Sequence, residues 1–402
     1  MRILYLTQWF EPEPNIIKGL DFVRRLQAAG HEVRVVTGLP NYPTGKVYPG
    51  YRLRLIQHED IDGVRVTRLP LFASHDASTL RRSLNFLSFF LSVLLYCLWR
   101  AGRYDLAYVY HPPITVGFAA ALAGCVRRLP FVLDVQDLWP DTVRSTGFRG
   151  AAALARPIGF ACRFVYRRSR LIISQSDGMR QALAARGVPV TKISTIHNWA
   201  VREGPVGSGS IESEARERLC IVYAGNFGRA QGLETVVDAA AILARRRQDI
   251  EIRLIGDGLE FEELCKRARG VQGISIEPRV CAEEIDEVIA SADAVLMHLR
   301  DEPLFRITVP SKTQAYLAYG QPIVAAVAGE AAQLLAASGA AIVVRPCDAQ
   351  ALAGAIAQMA DLAHEQRRKM GAAGRRYYFE TLSFASGVAA TLSVIGSAGA
   401  AA

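Results

Sequence analysis

CIVYAGNFGRAQGLETVVDAA, residues 220–240, carries the reading of the fold. Cys220 to Gly225 is a charge-free run of strand length. Gly225 and Gly228 permit a tight turn and a close approach of backbone to a ligand. From Gly232 the apolar residues fall at helical spacing, which predicts a helix over 232–247. Strand, glycine turn and helix in this order make half of a βαβ unit, and amides at the helix start can meet a phosphate. The full G-x-G-x-x-G is missing, so an ordinary strand-to-helix turn has the same appearance.

The alternation continues in both directions. Strands are predicted at 2–7, 32–38, 63–70, 105–110, 131–135, 170–174 and 192–196, then at 250–256, 273–278, 292–297, 322–327 and 340–344. Helices fall between them at 16–29, 80–101, 114–127, 150–169 and 177–186, then at 259–269, 282–290, 311–319, 330–337 and 348–362. A helical tail covers 364–394. Residues 39–60 form a long Pro/Gly/Tyr loop, and 203–215 is a polar Gly/Ser linker. Alternating strands and helices predict an α/β chain with two doubly wound parallel sheets. The expected domains are 1–200, 201–375 and a tail 376–402 that returns to the first domain. A cleft lined by strand C-termini and helix N-termini is the expected anion and nucleotide site.

The 402 residues carry a net charge of +9, unevenly placed. Residues 1–200 hold 26 basic and 13 acidic side chains, residues 201–402 hold 21 and 25. A basic half suits a polyanionic partner. No basic heptads, Cys/His finger or aromatic RNA-binding strand is visible, so nucleic acid is not expected. Seven dispersed cysteines without C-x-x-C fit a reducing compartment and argue against zinc. The first apolar run is too short for a signal peptide. Leu84 to Trp99 is 16 residues long, contains Asn85, Ser88 and Ser92, and is flanked by Arg81, Arg82, Arg100 and Arg103. It reads either as a core helix or as a segment lying in a membrane interface.

Several positions carry possible chemistry. Lys312 follows Val309-Pro310-Ser311 and precedes Thr313 in the first turn of a predicted helix. A cation there is unfavourable unless an anion lies between it and the helix dipole. Pro310 suits that turn, and Ser311 or Thr313 can cap it. Asp137 and Asp141 follow the strand 131–135 at its C-terminal end. Each is placed to bind a hydroxyl or act as a base, or else to form an Asx turn or cap. Lys18 and Gly19, after the loop Glu11-Pro12-Glu13-Pro14, are placed to approach a phosphate, although a surface lysine reads the same. His111 and His197 read as structural hydrogen-bonders.

Taken in order, GLPNYPTGKVYPGYR, DVQDLWPD, HNWA, YAGNFGRAQGLETVVDAA and VPSKTQAYLAYGQPIVAAVAGE resemble the retaining GT-B glycosyltransferases of family 4. Their surface-polysaccharide branch, similar to the colanic-acid and O-antigen N-acetylfucosaminyltransferases, is nearest. The resemblance spans residues 1–390. It implies two Rossmann-like domains and transfer, with retention, from a nucleoside-diphosphate donor such as a UDP-linked N-acetylated deoxy-hexosamine. The implied acceptor is a polyprenyl-pyrophosphate-linked glycan, and the implied place is the cytoplasmic face of an anionic membrane. No cofactor and no metal are implied.

Residue by residue, the family's donor turn falls on Gly225, Asn226, Phe227 and Gly228, with Arg229 and Gln231 beside it. Arg279 and Val280 stand where the base is held by main chain. The family's E-x7-E pair would fall on Ile307 and Ala315, so both carboxylates are missing. Thr308, Pro310, Ser311, Lys312 and Thr313 are the expected substitutes, with Lys18 and Gly19 from the first half. A family histidine is replaced by Gln136, next to Asp137; these two and Lys312 are the catalytic candidates. Glu13, Asn41, Tyr42 and Asp141 are the expected acceptor contacts. A nucleotide-sugar 2-epimerase and a non-catalytic nucleotide-sugar-binding protein share this architecture and stay open as alternatives.

Overall fold

The computed structural model describes residues 1–14, 17–74, 79–111, 113–142, 151–204, 218–281 and 284–400. The chain divides into two units, Met1–His197 with Gly387–Ala402, and Asn198–Ser386. The first unit holds β1 Arg2–Leu6, β2 Glu32–Gly38, β3 Gln57–Ile61, β4 Val64–Leu69, β5 Leu106–His111, β6 Phe131–Val135, β7 Leu171–Ser174 and β8 Ile193–Thr195. They form one sheet in the order β3-β4-β2-β1-β5-β6-β7-β8. Every neighbouring pair is parallel except β3 with β4.

The second unit holds β9 Leu219–Asn226, β10 Ile250–Asp257, β11 Ile274–Pro278, β12 Ala294–His298, β13 Ile323–Ala326 and β14 Ala341–Val344, ordered β11-β10-β9-β12-β13-β14. All of its pairs are parallel. β9 shows why its sequence is apolar throughout. Leu219, Ile221 and Tyr223 enter one core cluster, and Cys220, Val222 and Ala224 enter another. Helices cover both faces of such a sheet, so alternate residues are all buried. Each sheet reverses its winding once, between β1 and β5 and between β9 and β12. Open α/β sheets bind ligands at the carboxyl ends of the strands at such a point.

Four expectations change. Residues 57–61 are a strand, not loop. β3 is an antiparallel edge strand, so QHEDI leaves Asp60 exposed and turns Glu59 to the buried Arg68, Nε to Oε1 2.6 Å. Its turn is Asp62-Gly63, both at positive φ, the chemistry of a tight hairpin. The first helix is Leu20–Ala28, and Ile16 lies outside the described residues. After β9 the chain makes a 3₁₀ turn at Arg229–Gln231, and the helix starts later, at Glu234. The tail is two helices, His364–Tyr377 and Phe384–Ala400, separated by a π turn. Most of the 203–215 linker and the side chain of His111 lie outside the described residues.

Candidate active site

The two switch points differ in what fills them. At the first, the helix Leu20–Ala28 begins directly behind β1 and its loop. Its first amide, Leu20 N–H, donates to Glu11 Oε1 at 2.8 Å. A Cβ on Gly19 would lie 2.0 Å from the same oxygen. The close approach expected at Gly19 is therefore made by the chain's own carboxylate, which takes the place a phosphate would need. Burial raises the Glu11 pKa above its ordinary value.

Lys18 is corrected in the same way. Its side chain is fully buried and ion-paired to Asp134, also fully buried. Tyr108 donates to the same carboxylate oxygen. Gln136 Nε2 donates to the other oxygen at 2.6 Å, and Gln136 Oε1 accepts from Gln175 Nε2 at 2.8 Å. His197 Nδ1 lies 2.8 Å from the Gln175 carbonyl oxygen, so that nitrogen carries the proton. Gln136 is thus the middle of a relay behind the carboxyl end of β6. The carboxylate of Asp137, next in sequence, makes no hydrogen bond or ion pair among the described residues, while its carbonyl oxygen accepts from Trp139 N–H at 3.2 Å. Burial lifts its carboxyl to about 6.

The expected acceptor contacts also serve the loops. Glu13 is buried, and its carboxylate accepts from the backbone N–H groups of Phe10, Asn41 and Tyr42 at 3.1, 2.8 and 2.8 Å. Asn41 Nδ2 turns back to Leu39 O at 2.8 Å. Asp141 is ion-paired with Arg186, which also donates to Trp139 O at 2.7 Å. Sequence reading missed Asp134. The signal was there, since a lone charge in FVLDV, a fully buried strand, requires a buried partner.

At the second switch point no carboxylate among the described residues occupies the turn. Gly225, at the end of β9, has φ +146°, and a Cβ on it would lie 2.5 Å from Lys312 Nζ. Lys312 comes from the helix Ser311–Tyr319, whose N-cap is Pro310 and which has no side-chain cap. Its ammonium donates to Tyr223 Oη at 3.0 Å and lies 4.5 Å from the centre of that ring. Tyr223 in turn donates to Asn226 O at 2.8 Å. An ammonium has three N–H donors, and only this one acceptor is found for it among the described residues. Burial lowers its pKa from the usual 10.5 to about 8. A mostly buried cation without a counter-charge, beside uncapped helix amides, is a site for an anion.

The neighbouring candidates divide. Asn226 is exposed at the strand end, and Arg229 is exposed with Nε 3.4 Å from Glu260. Gly228 N–H donates to Gln231 Oε1 at 3.1 Å, so Gln231 tightens the turn. Ser311 and Arg279 are exposed, and Val280 packs partly against the core. Thr308 Oγ1 turns to Phe305 O at 3.5 Å. Phe227 and Thr313 are corrected. Phe227 is fully buried and stacks on Phe261, while the Thr313 hydroxyl faces Met297 Sδ beneath its helix.

Tyr223 and His298 were not anticipated. The His298 ring is buried, with Nδ1 2.6 Å from Gln231 O and Nε2 accepting from Cys347 N–H at 3.2 Å. The accepting nitrogen fixes the neutral Nδ1–H tautomer, and burial lowers its pKa. His298 therefore braces the turn after β9. Among the described residues no three His, Cys, Asp or Glu side chains converge as metal ligands.

Residues 20–199 match the Glycosyl transferase 4-like domain and residues 218–361 match Glycosyl transferases group 1. The chain belongs to the family 4 glycosyltransferases. It is 27% identical over 357 residues to the putative colanic acid biosynthesis glycosyl transferase WcaI of Escherichia coli strain K12, covering 84% of this chain and 86% of that one. The solved structure of Anabaena HepE in complex with UDP has a TM-score of 0.71 at 16% identity, covering 99% of this chain and 100% of that one. Sucrose-phosphate synthase of Thermosynechococcus elongatus reaches 0.71 at 17%, covering 100% of both. These likenesses establish the GT-B fold. On that fold, this family 4 transferase keeps one switch point filled by Glu11 and the other lined by an uncompensated lysine.

Proposed function

We propose that this transferase moves a sugar, with retention of anomeric configuration, from a UDP-linked donor to a polyprenyl-pyrophosphate-linked glycan in surface polysaccharide synthesis. An N-acetylated deoxy-hexosamine is the proposed sugar, and the cytoplasmic face of an anionic membrane is the proposed place of work. The observation that carries the reading is the Lys312 ammonium, held over Gly225 at the uncapped start of the helix Ser311–Tyr319. The UDP of HepE and the colanic-acid role given to WcaI support the donor and the pathway class.

In this reading the donor pyrophosphate meets Lys312 and the amides of Ser311 and Lys312. Asn226, Gly228 and Arg229 flank it, and Arg279 and Val280 border the base. The bond from the sugar's anomeric carbon to the diphosphate oxygen breaks, and the charge develops on that oxygen. Fixed donors in a low-dielectric site stabilise such charge without reorganising. The acceptor hydroxyl forms the new bond on the same face, and its proton passes to the leaving diphosphate. Asp137 orients that hydroxyl, and Gln136 holds the β6 loop through Asp134 and Gln175. The positive charge opposite the diphosphate comes from protein, so no metal is needed.

The test is transfer by purified protein from a panel of nucleotide sugars to a polyprenyl-pyrophosphate-linked acceptor, with excess EDTA present. Acceptor-dependent UDP release and an unchanged anomeric configuration in the product are expected. Turnover of the donor to a second nucleotide sugar without acceptor would mean an epimerase. Binding without turnover would mean a non-catalytic protein, and activity lost to EDTA and restored by a divalent ion would refute the metal-free account.

A further inference from the structure

The helix Thr79–Arg100 is apolar on two faces, and Asn85, Ser88 and Ser92 point inward beside its buried core residues. Asn85 is buried, accepts from Gln8 Nε2 at 2.6 Å and donates to Phe72 O at 2.8 Å. Ser88 Oγ accepts from Phe72 N–H at 2.8 Å, and Ser92 Oγ donates to Pro70 O at 2.7 Å. A second set of large apolar side chains points outward: Leu80, Leu84, Leu87, Leu91, Leu95 and Trp99 are all exposed, Leu80 by 71% and Leu95 by 59%. From Leu84 onward they recur every three or four residues, one continuous stripe. Water is a poor solvent for a stripe of this length, and stripes of this kind mark interaction surfaces.

Three features name the solvent it suits. The helix has no acidic residue, and Arg81 and Arg82 stand at its start, Arg100 and Arg103 at its end. Arg100 also lies over the face of the Trp99 ring, its Cζ 3.6 Å from the ring centre. Apolar stripe, interfacial tryptophan and flanking arginines together fit the boundary between acyl chains and anionic headgroups. Second, the opposite face is committed to the fold. Phe89, Val93 and Cys97 are fully buried, so the helix cannot leave its unit to cross a bilayer without exposing them. Third, a two-fold pair of such helices would set arginines against arginines in either orientation, which disfavours a second copy as the cover.

We infer that Thr79–Arg100 is an in-plane membrane helix that seats this transferase on anionic phospholipid. This deepens the proposed function by naming the surface, and rests on it only for why a membrane is needed. The test is co-sedimentation of the full chain with phosphatidylcholine vesicles and with vesicles containing phosphatidylglycerol, at low and high salt. Binding to the anionic vesicles at low salt, reduced by salt, is expected. Leu87→Gln/Leu91→Gln/Leu95→Gln changes only exposed positions. It should keep the thermal midpoint and lower vesicle partition at least tenfold. Arg81→Glu/Arg82→Glu should lower it at least tenfold on anionic vesicles only.

Absence of low-salt binding by the natural chain would overturn the inference, as would leucine variants that bind unchanged. Release by detergent alone would mean a spanning segment. A dimer that the leucine changes dissolve, without vesicle binding, would mean a second copy. Transfer to a short water-soluble acceptor should persist in the leucine variant. Its loss from the natural chain would count against the proposed function, not against this surface.

Discussion

Replacing Lys312 by methionine tests the donor site most directly. Methionine keeps the length and apolar stem, so packing beside Tyr223 and Gly225 is largely preserved, and only the ammonium is lost. In the free protein that ammonium is mostly buried, donates to one neutral hydroxyl, and has a pKa of about 8. A pyrophosphate supplies the counter-charge it lacks. A charge-assisted contact of this kind contributes about 1.5–3 kcal/mol, or roughly a tenfold to hundredfold change in Kd. The group binds as a cation below about pH 8 and loses its proton above. Donor affinity should therefore fall by about fourfold between pH 6.5 and 8.5 in the natural protein. In Lys312→Met that pH dependence should vanish. Titration calorimetry with a UDP-sugar at several pH values reads both effects. A folded variant whose Kd stays within twofold of the natural protein, with the same pH dependence, would refute the argument.

Other consequences follow from the same geometry. In Gly225→Ala a methyl group 2.5 Å from Lys312 Nζ should displace the ammonium and weaken UDP-sugar binding at least tenfold, and the φ of +146°, strained for an L side chain, should also lower the melting temperature. Asp137 is protonated below about pH 6, so kcat/KM should rise through that pH and fall again near 8 as Lys312 deprotonates; Asp137→Asn should abolish the acid limb, seen in a pH–rate profile. Lys18→Met leaves the buried Asp134 carboxylate unpaired and should destabilise the first unit by about 3–5 kcal/mol in urea unfolding, with Asp134→Asn in the same chain restoring part of the loss.

The parallel sheets were legible because both faces of β9, β12 and β13 are covered, which makes their sequences apolar without interruption. β3 was not. An exposed edge strand needs no apolar alternation, and its only signal was the Asp62-Gly63 turn. Lys312 was legible because a cation at a helix start opposes the helix dipole. Its partner Tyr223 was hidden, since a tyrosine in an apolar strand reads as core, and only the fold shows its hydroxyl reaching the strand end. The burial of Phe227 and Thr313 was hidden for a related reason. A turn between strand and helix alternates ligand-facing and core-facing positions, and spacing alone does not fix the phase. For the stretch 84–99, composition alone left core and interface equally open. The structure turns Asn85, Ser88 and Ser92 inward through their hydrogen bonds and leaves the leucine stripe exposed, which is what supports the proposed interface reading.

The lysines near the two switch points, Lys18 fully buried and Lys312 mostly so, sit in opposite electrostatic settings. This chain has only six lysines among 47 basic residues, and two of them stand near the two switch points. Lys18 is matched there by Asp134, with Tyr108 and Gln136 on the same carboxylate, and the adjoining helix amide is held by Glu11. Lys18 and Asp134 are each other's counter-charge there, so an incoming phosphate would have to displace a buried carboxylate and leave a lysine to be re-paired. Desolvation makes that exchange unfavourable. Lys312 has a tyrosine hydroxyl where Lys18 has a carboxylate. Burial without a counter-charge destabilises the free state of the second site, and an anion relieves it. The same sheet topology thus gives a closed first switch point and an open second one. The difference lies in Glu11 and Asp134 on one side and their missing counterparts on the other.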